Sequence, residues 1–123
     1  MRSVVRKKSY GSVTVFWLDR EAAVAAVREA AERWAREDSN VRRVLLFGSL
    51  AAGTATAASD ADVLVVLRET DVPLLARPDA YADRFAGVGL PVELFVTTEA
   101  EIRDHPSSIA EHALAHGIEL ARR

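Results

Sequence analysis

Three carboxylates and one Gly-Ser pair are the residues of this chain whose types and spacing could do chemistry. Asp60 and Asp62 stand two apart at the start of the apolar run 63–67. On an extended segment they point to the same side, roughly 6.6 Å apart along the backbone. Two carboxylates so placed can converge on a hard cation such as Mg²⁺, which takes oxygen ligands. Ionised carboxylates leading into an apolar strand are costly without such a partner. The alternative is structural: Ser59 and Asp60 cap a turn, and Asp62 faces solvent. Glu93 lies within PVELFVT, residues 91–97, where Val92, Leu94 and Val96 share one face and Glu93 and Phe95 the other. A mid-strand carboxylate among large apolar residues is unusual unless that face lines a site, although an exposed Glu on a half-solvated strand has the same pattern. If strands 62–67 and 91–97 are neighbours, the three carboxylates can hold two divalent ions about 3.5–4 Å apart for in-line phosphoryl transfer. Gly48-Ser49 follows an apolar strand, where Gly lets a ligand approach the backbone and Ser49 can cap the next turn while offering donors to phosphate; a plain turn reads the same way.

The elements that must position these residues are legible from pattern. Residues 12–18 are β-branched and aromatic, a strand that ends at Asp19, a helix cap. A helix over 20–36 is expected, with Ala23, Val27, Ala30, Ala31 and Trp34 on its apolar face. Asp38-Ser39-Asn40 is a turn, 41–47 a second strand, and 50–58 a loop or helical turn leading to a third strand at 63–67. After Pro73 and Pro78 come a short helix at 79–85, a turn at Gly87 and Gly89, and the fourth strand at 91–97. A short helix or turn at 99–105, an amphipathic helix at 107–116 ended by Gly117, and a final edge strand at 118–121 complete the chain. Strands interleaved with helices predict one α/β (α+β) layered domain spanning 1–123, with 1–11 a flexible or edge segment.

Composition narrows the classes. The chain has 123 residues, no cysteine and a formal charge of -2. It therefore has no disulfide framework, thiolate metal site or Cys nucleophile, and no summed positive field to gather nucleic acid generically. No apolar run reaches the ~20 residues of a membrane span, and no apolar segment follows the basic residues Arg2, Arg6, Lys7 and Lys8, so a cytoplasmic location is expected. His112 and His116 are four apart on one helix, a spacing that could seat a metal, but no third ligand accompanies them.

Gly48-Ser49, ten residues, then Asp60-x-Asp62 and an apolar strand resembles the signature of the nucleotidyltransferase superfamily that includes DNA polymerase beta. The wording GS-x-A-x-G-T-A-x-x-x-S-D-x-D, carried by Ser49, Ala51, Gly53, Thr54, Ala55, Ser59, Asp60 and Asp62, is most similar to the minimal nucleotidyltransferase (MNT) group. The resemblance implies a small mixed β-sheet flanked by helices. It implies that Gly48 and Ser49 hold a nucleoside triphosphate, ATP first among them, and that Asp60 and Asp62 bind Mg²⁺. It also implies that Glu93 takes the third carboxylate position and helps activate the acceptor hydroxyl. It further implies transfer of AMP to a small helical partner, a HEPN-type toxin with RNase activity, for which the chain is the antitoxin. Two departures bear on activity: Ala52 stands where many relatives have Arg, and Glu93 is one methylene longer than the commoner Asp. Both favour a second reading, a weakly active or inactive antitoxin that works by stoichiometric binding. A third reading is transfer to a small molecule of aminoglycoside type. A domain with a radius near about 14 Å has little room for its own acceptor module, so a helical partner or a homodimer is expected.

Overall fold

Residues 4–123 are described by the computed structural model. A hairpin comes first: β1 (Val5–Tyr10) and β2 (Val13–Leu18) pair antiparallel, with Val5 opposite Leu18 and Tyr10 opposite Val13. Gly11, at φ 60°, turns the chain in two residues, the mirror-type turn that suits strand twist. Arg6, Lys7 and Lys8 are thus strand residues, while Arg2 lies outside the described residues.

Asp19 caps α1 (Arg20–Glu37), its side chain accepting from the Ala22 amide. The buried face of α1 is Ala23, Val27, Ala30, Ala31, Trp34 and Ala35, the face expected from three- and four-residue steps plus one further alanine. Trp34 is 1% exposed. It packs against Tyr81 and Phe85, with ring centroids 5.5 and 6.1 Å away, and its indole N–H donates to Asp38.

The central sheet has the order β5-β4-β3-β6, formed by β3 (Val41–Phe47), β4 (Ala61–Leu67), β5 (Val92–Thr98) and β6 (Ile118–Arg122). β3 runs antiparallel to β4 and β6, whereas β4 and β5 are parallel. One sheet face, with Val44, Leu46, Val63, Val65, Leu94 and Val96, joins the core built on α1. The other, with Leu45, Phe47, Leu64 and Val66, packs on Ala110 and Ala113 of α5 (Ser108–His116). Layers on both faces explain why β3 and β4 read as nearly unbroken apolar runs. Each fully buried Leu or Val contributes about 1.5–3 kcal/mol.

The remaining helices are short: α2 (Gly48–Ala52), α3 (Arg77–Tyr81) with 3₁₀ turns on either side, and α4 (Glu99–Asp104), whose capping box joins Thr98 and Glu101. Ser107 caps α5. Gly117 ends α5 at φ −75°, not left-handed. Its lack of a side chain serves close packing, since a Cβ there would strike the carbonyl oxygens of Ala113 and Leu46. No helix among the described residues is long and apolar enough to cross a membrane. The fold is a small mixed α/β domain with a four-stranded sheet flanked by helices.

Candidate active site

The parallel register of β4 and β5 sets Asp62 directly beside Glu93. Leu64 beside Phe95 and Val66 beside Thr97 continue the same face. Neighbouring strands lie about 4.8 Å apart, so the two carboxylates are forced together at one end of that face. Asp62 is half-buried and Glu93 exposed. Burial, a hydrogen bond with Glu93, the Glu93 charge and, last, the Asp60 charge raise the Asp62 carboxyl to about 6. Each of these influences opposes ionisation, and among the described residues no Arg or Lys offsets them. Asp60 sits one residue before β4 and is exposed; its charge reaches Asp62, but no three acidic or imidazole side chains among the described residues close into a preformed metal cage. The arrangement is a tight pair with a flanking third carboxylate, not the converged triad expected from spacing. An all-oxygen, uncompensated donor set of this kind fits a hard divalent cation.

β3 delivers Gly48 to the same place. Phe47 pairs with Asp62 across the sheet, and Gly48 follows at φ 75°. A Cβ built on Gly48 would clash with Oδ2 of Asp62 and sit 3.1 Å from its Cγ. Gly48 therefore makes room for the carboxylate. Ser49 lies inside α2; the N-cap is Phe47, with no side-chain cap, so Ser49 does not cap that turn. The C-terminal end of α2 closes on Gly53, left-handed at φ 80°.

Two arginines hold this framework, and sequence reasoning missed both roles. Arg20, first residue of α1, donates through Nε to the Leu50 carbonyl and through Nη2 to the Ala51 carbonyl, each at 3.0 Å. Arg77, 7% exposed, donates to the carbonyls of Val72 and Val96 and forks onto Glu101 at 2.7 and 3.2 Å. The Arg77 hydrogen bond, first among several influences, holds Glu101 below the usual carboxylate range. Neither arginine has a sequence signal, because its partners are 30 and 24 residues away. Arg42, Arg43 and Arg68 lie at the opposite end of the sheet. Arg43 pairs with Val66 and is bridged to Glu119, and Arg42 to Glu99. His112 stacks with His116 at 5.0 Å and meets Phe47 at 6.3 Å, but no further metal ligand joins them among the described residues.

Comparison with known families decides what this framework is. The nucleotidyltransferase domain model matches residues 27–116, most of the chain and every element that meets at the carboxylates. The chain belongs to the nucleotidyltransferase domain family. No functionally curated protein matches it significantly. Among solved structures, this nucleotidyltransferase domain is similar to a Sulfolobus solfataricus protein solved as a nucleotidyltransferase (TM-score 0.61, 22% identity, covering 85% of this chain and 84% of that one). It is also similar to a chain of a toxin–antitoxin solved with AMP-PNP (TM-score 0.55, 19% identity, 86% and 75%). A third likeness is to a chain of the complex between tri-AMPylated Shewanella oneidensis HEPN toxin and MNT antitoxin (TM-score 0.52, 14% identity, 85% and 73%). At these identities the likenesses establish the fold alone, that of a nucleotidyltransferase domain.

Proposed function

We propose that this nucleotidyltransferase domain moves AMP from ATP to a hydroxyl of a separate protein, a small helical HEPN-type toxin, and thereby acts as its antitoxin. The observation that carries the reading is the enforced pairing of Asp62 with Glu93 beside the Gly48 turn. The solved relatives support the nucleotide and the partner: one was crystallised with AMP-PNP and another holds an AMPylated HEPN toxin.

Asp60, Asp62 and Glu93 would hold Mg²⁺, which supplies charge neutralisation at the phosphates when bound. Gly48 and Ser49 cradle the triphosphate where β3 gives way to α2. Glu93, the most exposed of the paired carboxylates, receives the proton of the acceptor hydroxyl. The hydroxyl oxygen then forms a bond to the α-phosphorus as the α–β bridging bond breaks, and pyrophosphate leaves with that electron pair. In the metal-free site Asp62 ionises above about pH 6, so at limiting Mg²⁺ transfer rises with pH through that value as the cation gains its ligand. Catalysis here is chiefly positioning and electrostatics.

Incubating the chain with its helical partner, Mg²⁺ and ATP, then weighing the partner intact, tests this. One or more adenylyl additions are expected, and none with the Asp60→Ala/Asp62→Ala double variant. Tight binding without any adduct would overturn transfer in favour of stoichiometric masking, the outcome that Ala52 and the open carboxylate arrangement favour. Adduct formation on an aminoglycoside but not on the protein would move the acceptor to a small molecule.

A further inference from the structure

The two sheets leave four outer strands, β1, β2, β5 and β6, and an unguarded outer strand is a template for pairing with another chain. Three of the four are guarded. On β5, the buried Arg77 takes up the Val96 carbonyl at 3.1 Å. β6 is five residues long, carries Glu119 and Arg122, and continues into Arg123, which is tied to the Ala35 carbonyl of α1. β1 carries Arg6, Lys7 and Lys8, the last two being the only lysines of the chain. Among the described residues, β2 has none of these devices. Its sequence VTVFWL contains no charge, proline or glycine, and its register against β1 is regular, without a bulge. Val13, Val15, Phe16 and Trp17 are 58, 45, 58 and 45% exposed.

We propose that the outer edge of β2 pairs antiparallel with β2 of a second copy of this chain, about a twofold axis at Val15, joining two hairpins into one four-stranded sheet. Charge selects this occupant and this edge. Pairing β1 with its own copy would oppose Lys7 to Lys7, or Arg6 to Lys8, and like charges directly opposite destabilise. The neutral β2 meets no such cost. About Val15, Val13 falls opposite Trp17 of the second copy on one face and Thr14 opposite Phe16 on the other. These are the β-branched and aromatic pairs that stabilise neighbouring strands. Lys8 is partnered with Val15 within the hairpin. The two Lys8 residues would therefore stand three strand spacings apart, about 14 Å, beyond the ~8 Å screening length at physiological salt. An isolated two-stranded hairpin is marginal, whereas three or more strands sustain themselves. The pairing is isologous and closes at two copies, so it does not propagate into a filament. It stands independently of the transfer reaction.

Sedimentation of the full chain over a range of concentrations tests it, with two variants. The wild type is expected to dimerise reversibly. Val15→Lys places like charges on the axis and should raise the dimer dissociation constant at least tenfold, with an unchanged circular dichroism spectrum. Val15→Cys supplies a single thiol to a cysteine-free chain. Directly opposed antiparallel residues have Cα separations that a disulfide spans, so mild oxidation should give a covalent dimer, whereas Lys8→Cys should not. A wild type that stays monomeric with Val15→Cys uncrosslinked overturns the proposal, as does a dimer that survives Val15→Lys. So does a monomer whose Val15→Lys variant loses the helical partner or a single-stranded oligonucleotide instead. Should Val15→Lys fail to fold, the crosslinking of Cys at 15 against Cys at 8 decides.

Discussion

Asp62 and Gly48 are one constraint seen from two strands. The carboxylate occupies the space a Cβ at position 48 would need, and the backbone there is left-handed. Gly48→Ala should therefore cost about 1–2 kcal/mol in strain and displace Asp62. Misplacement by an ångström can lower a rate about a hundredfold, so single-turnover transfer should fall by that order while the melting temperature drops only a few degrees. Asp62 itself opposes stability in the absence of metal. Its folded value of about 6 lies above the ordinary 3.8, so the folded chain keeps a proton that the unfolded chain releases. The resulting stabilisation is fully present below about pH 4 and is lost as pH rises through 6. Asp62→Asn should thus stabilise the metal-free protein by about 1–2 kcal/mol at pH 7.5, change little at pH 4, and abolish transfer. Urea unfolding at the two pH values reads the difference.

The elements that carry these residues are tied together by arginine. Arg20 links the first turn of α1 to the last carbonyls of α2, carbonyls that a five-residue helix cannot satisfy internally. Removing it with Arg20→Ala should cost about 1 kcal/mol, since part of the guanidinium is solvated, and should loosen the Gly48 turn enough to raise the ATP requirement for transfer. Arg77 is the larger element-scale bond, joining α3, β5 and α4 through one buried guanidinium. Arg77→Ala leaves the Val96 carbonyl and Glu101 without their partner and should destabilise by about 3 kcal/mol, measurable by chemical denaturation. Because Arg77 holds Glu101 low, the stability this pair adds is present above Glu101's ordinary 4.5 and lost as pH falls through its lowered value. The Arg77→Ala deficit should therefore shrink in acid.

Across the whole molecule, charge is compensated unevenly along the strands. Carboxylates without cations gather where β3 ends and β4 and β5 begin, while Arg42, Arg43 and Arg68 lie at the other end. The net charge of -2 conceals this asymmetry. A divalent cation that binds the carboxylate end should stabilise the fold by mass action, about 2.7 kcal/mol at a hundredfold excess over its dissociation constant. Mg²⁺ should accordingly raise the melting temperature at pH 7.5 and do so far less at pH 5, where Asp62 is protonated. Thermal unfolding with and without Mg²⁺, repeated on Asp60→Ala/Asp62→Ala, checks that the rise belongs to this end of the sheet.

Much of this was determined by the sequence alone. The bounds of α1 and β3 follow from local periodicity and capping, which act within a few residues, whereas β4 begins at Ala61, two residues before the expected start, and β5 is shifted by one. The motif from Gly48 to Asp62 named the family before any strand was paired. Tertiary structure alone decided the rest. Glu93 lies 31 residues beyond Asp62 in the chain, and only the parallel register, set by burying Leu64 and Val65 on opposite faces at once, puts their carboxylates side by side. The same long-range packing set the Asp62 carboxylate against Gly48 and brought Arg20 to α2. Pattern in a sequence records which face a residue shows. Which neighbour that face meets is settled when distant segments compete to bury their apolar sides.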